Sequence, residues 1–216
     1  MSTLIFMSKR EQNKIDKLGR IREAARTLFV EKGYADTTTR DIATEAGIAT
    51  GTLFVYFKEK RDLLMDVYQG WVDDALDEGF ASFPDRASAT DTLLHMFERI
   101  YAVHERHPDL ARVWVKELHF VEGEAYAKSA AWTMRFLQRF SDRIRALQKH
   151  GALRADLQPM SAAMHVFALY YFALVSWLGS HGAVGPAMRD QLFRQWVEDA
   201  VRGFQVTVDP ETKEPS

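Results

Sequence analysis

Apolar side chains recur at the spacing of an α-helix along almost the whole chain, and this regularity restricts the fold more than any other feature. The clearest stripe contains Leu18, Ile21, Ala25, Leu28 and Phe29, which fall on one face of a helix. The two-residue alternation of a half-buried strand is essentially missing. We therefore predict an all-α protein of about nine helices.

Prolines divide the later part of the chain into pieces of helical length. All six lie beyond residue 83, and the first of them, Pro84, marks the clearest break. Before this break, a long helix is predicted from Lys58 to Phe80. Beyond it, the spacing predicts helices near 88–106, 109–121, 123–149, 160–180 and 187–205. A chain of 216 residues is long enough for one domain or two small ones.

Residues 38–57 have the pattern of two short helices joined by a tight turn. Thr38 or Thr39 can cap the first helix, and Gly47 can end it because glycine readily adopts a positive φ. Thr50 can cap the second helix, whose outward side chains are small and partly hydroxylated, as suits a groove about 12 Å wide. This is the helix-turn-helix arrangement, although any pair of short helices can produce the same pattern.

The overall charge conceals an asymmetry. The chain has 28 basic and 30 acidic residues, a net charge of −2, yet residues 1–60 carry +3 and the remainder −5. A mildly basic head on an acidic body hints at an anionic partner, while a solvated surface would show the same balance. The basic residues of the head that could serve such a partner are Lys14, Lys17, Arg20, Arg22, Arg26, Lys58 and Lys60.

This amino-terminal segment resembles the signature of the tetracycline-repressor (TetR) family of transcription regulators over about residues 15–67. The positions that agree in order and spacing, without gaps, are Arg20-Ile21, Ala24-Ala25, Leu28-Phe29, Gly33, Thr37-Thr38, Ile42-Ala43, Ala46-Gly47-Ile48, Gly51-Thr52-Leu53, Tyr56-Phe57, Lys60 and Leu63-Leu64. Beyond residue 80, only the helix count and lengths agree with the ligand-binding and dimerisation domain of the family.

The resemblance implies a division of the chain into two domains. A three-helix, helix-turn-helix DNA-binding domain would occupy residues 1–60, with an arm at residues 1–12 that we expect to be mobile. A larger helical domain for effector binding and dimerisation would occupy residues 61–216, with a tail at residues 207–216 that we expect to be disordered.

The resemblance also implies roles for single residues. Residues 50–56 would form the recognition helix in the major groove of DNA. The residues nearest the phosphates would be Thr38, Thr39, Tyr56 and Lys60, and those nearest the bases would be Arg40, Thr50, Gly51, Thr52 and Val55. Phe54 replaces the tyrosine that is common in the family, so we expect one phosphate contact to be lost. Val55 could touch a thymine methyl group or simply lie against a sugar.

By the same analogy, the helices near 160–180 and 187–205 would pair with a second copy in a two-fold, four-helix interface. Their apolar side chains cover more than one face, as expected for helices buried on two sides, although an intramolecular core alone would have the same composition. The residues that we expect at the dimer interface are Val166, Tyr170, Ala173, Trp177, Phe193, Trp196, Val197 and Val201.

The middle helices would line a pocket for a small-molecule effector. The candidate lining residues are Tyr101, Trp114, Leu118, Trp132, Phe136, Phe167 and Tyr171, with His119 or His165 as polar anchors. Their aromatic character favours an apolar or aromatic molecule, while plain core packing would use the same residues. We expect no cofactor.

Enzymatic and metal-binding motifs are missing from the sequence. It has no G-x-S-x-G, G-x-G-x-x-G or Walker loop. His104 and His107 lack the i, i+4 spacing of a zinc-binding helix, and the absence of cysteine excludes a thiolate site. We therefore predict that the protein is not an enzyme and has no metal site.

We predict a cytoplasmic homodimer that represses transcription from a palindromic DNA operator and responds to a small apolar or aromatic effector, with no membrane partner. The alternatives within DNA binding are an activator and a regulator without an effector. An alternative of another class is a helical enzyme or adaptor that retains a DNA-binding head.

Overall fold

The computed structural model of this chain describes residues 8–84, 87–119 and 122–204. All regular structure within these ranges is helical, which confirms the predicted fold class. The helices are α1 (Lys9–Glu31), α2 (Gly33–Asp36), α3 (Thr39–Glu45), α4 (Thr50–Tyr56), α5 (Lys60–Ala81), α6 (Ala89–Arg106), α7 (Pro108–His119), α8 (Gly123–Lys149), α9 (Pro159–Gly179) and α10 (Pro186–Phe204). The five helices beyond Pro84 lie within two residues of their predicted bounds, whereas the sequence pattern does not predict α2.

A capping box starts α1. The Ser8 Oγ atom accepts a hydrogen bond from the Glu11 backbone N–H at 3.2 Å, and the Glu11 carboxylate accepts one from the Ser8 N–H at 2.9 Å. Residues 8–12 of the expected arm therefore belong to α1 and its cap. Residues 1–7 and the predicted tail at residues 207–216 lie outside the described residues.

The chain divides into two compact units. Unit 1 comprises residues 1–74 and 106–120, and unit 2 comprises residues 75–105 and 121–216. Helix α7 therefore belongs with the helix-turn-helix segment, although it follows α6 in the chain. The functional boundary after residue 60 stays a prediction.

The core of unit 1 is the apolar stripe of α1 packed against the two short helices. Ile21, Ala25 and Phe29 of α1 are buried, as are Ile42 of α3 and Leu53 of α4. Removing these side chains from water is the main contribution to the stability of this body. The packing holds α4 by its inner face and leaves its outer face free.

Gly47 makes the turn between α3 and α4 possible. Its φ angle is +64°, a conformation that L-residues with a side chain rarely adopt. The Gly47 N–H donates to the Thr44 carbonyl and the Ile48 N–H to the Ala43 carbonyl, both at 3.0 Å, so α3 ends abruptly. The N-cap of α4 is then Ala49, and the predicted cap at Thr50 is wrong by one residue.

Lys60, the first residue of α5, ties that helix to the end of α2. Its Nζ atom lies 2.6 Å from the Tyr34 carbonyl oxygen, 3.2 Å from that of Ala35 and 2.7 Å from that of Thr37. It also lies 4.3 Å from the centroid of the Tyr34 ring. The last carbonyls of a helix lack partners within it and carry partial negative charge, so the ammonium group caps α2. We call these contacts the Lys60 clamp.

Thr37 secures the same corner from the inside. Its side chain is buried, and its hydroxyl proton is shared between the Leu28 carbonyl at 3.0 Å and the Gly33 carbonyl at 2.8 Å. The next residue, Thr38, is the N-cap of α3. The position of the first helix of the helix-turn-helix therefore depends on this corner.

The core of unit 2 contains a cluster of aromatic rings in stacked and edge-to-face contact. The Phe97 ring lies 4.7 Å from that of Tyr170, 5.3 Å from that of Phe140 and 5.5 Å from that of Phe193, between centroids. The hydroxyl of Tyr170 lies 3.0 Å from His104 Nε2. Burial lowers the pKa of His104 to about 3, so its ring is neutral at physiological pH.

A buried guanidinium group joins α6 to α10 in this unit. Arg189 is 1% exposed, and its Cζ atom lies 3.9 Å from the Tyr101 ring centroid and 4.5 Å from that of Trp177. Its Nη2 atom donates to Glu105 and Asp190, both at 2.5 Å. Two carboxylates and two ring faces compensate the desolvation of this charge.

The Lys60 clamp makes a testable contribution to stability. We expect Lys60→Met, which keeps the apolar stem but loses the three N–H donors, to lower the free energy of unfolding by about 1.5–3 kcal/mol, the range for a hydrogen bond to a charged group. Urea denaturation followed by circular dichroism measures this. Lys58→Met, at an exposed position, is the matched control and should change stability little. Equal stability of the two variants would contradict the clamp.

Candidate nucleic-acid interface and effector site

The outer face of α4 presents small and apolar side chains to solvent. Val55 is 80% exposed and Phe54 is 48% exposed, while Leu53 on the opposite side is fully buried. The remaining predicted contact residues of this helix border the same face: Gly51 is exposed, and Thr50, Thr52 and Tyr56 are half-buried. The helix is therefore fixed by its inner side and can offer its outer side to a groove.

The start of α3 holds the predicted phosphate-contacting threonines. The Thr38 Oγ atom accepts a hydrogen bond from the Asp41 N–H at 3.1 Å, and the Thr38 N–H donates to the Asp41 carboxylate at 3.0 Å. These bonds lower the pKa of Asp41. The Thr38 N–H is thus engaged, whereas its hydroxyl proton remains available for a phosphate oxygen. Thr39 is half-buried and Arg40 is exposed beside it.

Lys60 differs from its predicted role as a phosphate ligand. All three of its ammonium protons have carbonyl acceptors in the clamp, so a phosphate would have to compete with bonds that are already made. Through its bond to the Thr37 carbonyl, Lys60 holds the backbone immediately before Thr38, the N-cap of α3. Sequence reasoning missed the partners Tyr34 and Thr37, because α2 carries no periodic pattern that would signal it.

The predicted dimer-interface residues are mostly core residues. Seven of the eight are buried within the chain itself, with at most 8% exposure: Val166, Tyr170, Ala173, Trp177, Phe193, Val197 and Val201. Side chains without exposed surface cannot bury more against a second copy, so these assignments are corrected to the core of unit 2. Trp196 alone among the eight is half-buried.

The other side of α9 and α10 carries an exposed apolar surface, which we call the outer α9–α10 face. Its members are between 40% and 62% exposed: Met164, Phe172 and Val175 on α9, and Met188 and Leu192 on α10. The Phe172 ring lies 5.7 Å from the Trp196 ring. Helix α9 is long and apolar enough to cross a membrane by composition alone, yet eight of its residues are buried in unit 2, as in a core helix.

A depression of about 440 Å³ lies on the same two helices. Its lining residues are His165, Leu169, Trp196, Asp199, Ala200, Gly203 and Phe204. His165, a predicted effector anchor, is exposed here with its ring 5.7 Å from that of Phe204. It is thus separated from the aromatic core that it was expected to serve.

The nine predicted effector-binding residues fall into different environments. Trp114, Leu118 and His119 are on α7 and belong to unit 1, where the Trp114 ring stacks on Tyr68 at 5.0 Å. The others belong to unit 2, where Tyr101 and Phe136 are buried and Trp132, Phe167 and Tyr171 are half-buried.

A continuous line of aromatic rings in unit 2 brings together three of these predicted residues. Phe136 lies 5.7 Å from Phe167, which lies 6.3 Å from Tyr171. In the other direction, Phe136 lies 6.3 Å from Phe80 at the end of α5, and Phe80 lies 6.1 Å from Phe83. Burial raises the pKa of Tyr171 to about 12. This aromatic line is apolar and partly open to solvent along its length.

Basic groups surround the Phe80–Phe83 end of the line. Arg139 lies 3.9 Å from the Phe80 ring centroid, and Arg143 lies 4.2 Å from that of Phe83. On the other side, Arg99 Nη2 donates to the Ser82 hydroxyl at 2.9 Å. We call Arg99, Arg139, Arg143 and His95 the basic cluster.

The hydrogen bonds and ion pairs of the basic cluster do not satisfy all of its donors. Arg139 is paired with Asp77 at 2.7 Å, but the Nε atoms of Arg99 and Arg143 are buried without a hydrogen-bond partner among the described residues. Burial and, after it, the charge of Arg99 lower the pKa of His95. Sequence reasoning missed this cluster because its members come from two helices, α6 and α8, that are separate in the chain, and form no motif.

Two family models match the chain. One, described as bacterial regulatory proteins of the tetR family, matches residues 21–67. The other, described as a tetracyclin repressor-like C-terminal domain, matches residues 86–204, which is more than half of the chain.

Individual relatives agree with these matches. The HTH-type transcriptional repressor KstR2 of Rhodococcus jostii is 27% identical over 136 residues, which cover 62% of this chain and 67% of that repressor. The fatty acid metabolism regulator protein of Bacillus subtilis is 27% identical over 107 residues, 50% of this chain and 55% of that protein. The chain thus spans little more than half of the length of the second relative.

A solved structure shares the fold. The crystal structure of the transcriptional regulator FadR from Bacillus subtilis in complex with stearoyl-CoA has a TM-score of 0.68 at 21% identity, covering 87% of this chain and 100% of its own. The match of the family models to both parts of the chain shows that this protein belongs to the tetR family of bacterial regulatory proteins.

Proposed function

We propose that the protein is a cytoplasmic, ligand-responsive transcriptional repressor that binds a palindromic operator as a homodimer. The observation that carries the proposal is the outer face of α4, where Val55 is 80% exposed on a helix anchored by a buried leucine. Such a face has no packing role in its own unit. Membership of a family of bacterial regulators and the similarity to two named regulators support the same conclusion.

In this proposal, the outer face of α4 enters the major groove. Thr52 and Val55 lie nearest the bases, with Thr50, Gly51 and Arg40 beside them, because a hydroxyl and a methyl-bearing side chain suit base edges. Thr38, Thr39 and Tyr56 hold phosphates and set the register. Lys60 acts indirectly: the Lys60 clamp keeps the N-cap of α3 in place.

The outer α9–α10 face is the surface that a second copy would cover. Exposed apolar side chains on two adjacent helices lose contact with water when two copies pair across a two-fold axis. The arrangement supplies four helices to the interface and leaves the buried residues of α9 and α10 to the core. A dimer also presents two α4 helices to half-sites about one DNA turn apart, or a multiple of it.

The effector that fits unit 2 best is an acyl-CoA thioester. The FadR structure contains stearoyl-CoA, a molecule with a long apolar chain and a phosphate-bearing head. In this chain, the aromatic line suits the acyl chain, and the basic cluster suits the phosphates because its unpaired guanidinium atoms need acceptors. Both features meet at Phe80, where the Phe80–Phe136 contact at 6.3 Å continues from the Arg139–Phe80 contact at 3.9 Å.

The release mechanism follows from the path of α5. This helix begins at Lys60, in unit 1, and ends at Ala81 next to the basic cluster, in unit 2. A ligand that binds at its carboxyl end and prefers one position of the helix shifts the population of that position. Because Lys60 is clamped to α2, the shift reaches the helix-turn-helix and weakens specific DNA binding.

Removing one hydroxyl at a time tests the division between base and phosphate contacts. We expect Thr52→Val to change the preferred base at one operator position, by about 1–3 kcal/mol. Tyr56→Phe, which also loses one hydroxyl, should weaken binding to all sequences about equally. Fluorescence anisotropy with operator duplexes that carry single base-pair changes separates the two. Identical behaviour of the variants would show that the division is wrong.

The dimer surface can be tested by placing a charge on it. We expect Phe172→Lys to shift the protein from dimer towards monomer at low micromolar concentration, because a buried, unpaired ammonium group is costly. Tyr126→Lys is the matched control, since Tyr126 is 63% exposed and Phe172 62%. Light scattering after gel filtration measures the mass. A Phe172→Lys variant that stays as dimeric as the control would contradict this interface.

The effector proposal is tested with stearoyl-CoA as the probe. We expect it to release the wild-type protein from its operator, and Arg143→Gln to need about tenfold more, the equivalent of about 1.4 kcal/mol. Arg145→Gln on the same helix, which loses an exposed ion pair with Asp142, is the matched control. Operator anisotropy during titration gives the result, with stearate and coenzyme A as separate probes. Unchanged operator binding by the wild type would overturn the effector class.

A further inference from the structure

The last turn of α5 and the middle of α6 approach each other closely at Gly79. A Cβ atom built on Gly79 would lie 2.8 Å from the Sδ atom of Met96 and 3.2 Å from the Cδ atom of Arg99. Met96 is fully buried, so the two helices are tightly packed at this point. The stem of Arg99 therefore lies against the carboxyl end of α5.

Ser82, the first residue after α5, links this end of the helix to α6. Its hydroxyl donates to the Glu78 carbonyl at 2.7 Å and accepts from the Arg99 Nη2 atom at 2.9 Å. The His95 Nε2 atom lies 3.3 Å from the same oxygen, and the proton of that contact comes from the histidine, because the hydroxyl proton is already given to Glu78. The last carbonyls of a helix carry partial negative charge, so these bonds stabilise the end of α5. We call them the Ser82 cap.

The guanidinium group of Arg99 has one edge that is only partly used. The Nε atom and one Nη atom of an arginine lie side by side and can bind two oxygens of one anion. Arg22 does this in the same protein, where its Nε and Nη2 atoms donate to Asp66 at 2.6 and 2.8 Å. In Arg99 the Nη2 atom donates to Ser82, while the Nε atom is buried without a partner among the described residues. A buried donor without an acceptor is costly, so this edge favours an oxyanion over a single hydroxyl.

The carboxylates near the basic cluster have cationic partners of their own. Asp77 pairs with Arg139 at 2.7 Å, and Glu98 lies 3.8 Å from the Nη2 atom of Arg194. Arg99 forms no ion pair within the part of the chain that the structure describes. Its charge is therefore available to an anion that enters the basic cluster.

We propose that a phosphate group of the effector binds the Nε–Nη2 edge of Arg99 in place of the Ser82 hydroxyl, and that this exchange releases the end of α5. The inference rests on the proposed function, because it supplies the step by which a ligand at the basic cluster changes this helix. When Arg99 donates to the phosphate, the Ser82 cap loses its link to α6 and the last turn opens more easily. The two states differ by one exchange of hydrogen bonds, and the phosphate prefers the state in which the end of α5 is free.

The full-length Ser82→Ala variant tests the exchange, because it removes the competing hydroxyl and leaves the edge of Arg99 intact. We expect it to bind inorganic pyrophosphate about tenfold more tightly than the wild type does, as measured by isothermal titration calorimetry. If Ser82 only stabilised the helix end, its loss would leave this affinity unchanged or lower it. Ser161→Ala, which removes an exposed hydroxyl from α9, is the matched control and should bind as the wild type does.

The Arg99→Lys variant shows whether the gain passes through the guanidinium edge. Lysine keeps the positive charge but lacks the two-pronged edge, so we expect weaker binding of pyrophosphate and no gain when Ser82→Ala is added. An equal gain from Ser82→Ala in both backgrounds, or no gain in the wild-type background, would overturn the proposal.

Hydrogen exchange of the peptide that covers residues 76–83, followed by mass spectrometry, measures the release of the end of α5. We expect pyrophosphate to speed exchange of this peptide in the wild type, and the ligand-free Ser82→Ala variant to exchange as fast as the wild type with pyrophosphate. Exchange that stays the same or slows in either case would contradict the release.

The Ser82→Ala variant should also bind the operator about fivefold more weakly without any ligand, because the end of its α5 is already free. Unchanged operator affinity would overturn the link between the Ser82 cap and DNA binding. If stearoyl-CoA fails to release the wild type from its operator, the proposed effector class fails, while the affinity for pyrophosphate and the hydrogen exchange still decide the role of Ser82.

Discussion

The Lys60 ammonium group makes the contact on which the DNA-reading part of this protein depends. It donates to three carbonyls at the end of α2 at 2.6–3.2 Å and fixes the start of α5 against them. The adjacent Thr37 bonds to the Leu28 and Gly33 carbonyls through its buried hydroxyl, and Thr38 caps α3. Helix α4 packs on α3 and buries Leu53. The position of the exposed face of α4 therefore depends on the contacts of Lys60, Thr37 and Thr38. The same lysine starts the helix that ends in unit 2, and in the proposed mechanism it therefore takes part in both DNA reading and the response to a ligand.

The sequence predicted the helices well where local signals set their ends. Prolines and glycines bound most of the later helices. Of the two predicted caps of α3, Thr38 is the one that forms, in a capping box with Asp41. The exception is α4, which begins after Ala49 without a side-chain cap. There, the turn at Gly47 sets the start, and Thr50 becomes the first helical residue.

Which face of a helix points to which neighbour could not be read from periodicity alone. Helix α9 is apolar all round, so Val166 and Phe172 look alike in sequence, yet the first is fully buried and the second is 62% exposed. Only tertiary packing separates core from partner surface. The same holds for the effector residues: Trp114 belongs to unit 1 because α7 packs there, and the basic cluster assembles from distant segments.

The central claim is that two copies of α4 read a symmetric DNA site. Selection of bound sequences from random duplexes, with the wild-type protein at near-physiological salt, tests this most directly. We predict an enriched palindrome with half-sites centred about 10 base pairs apart, or a multiple of that spacing. An enriched sequence without two-fold symmetry, or no enrichment at all, would contradict the account.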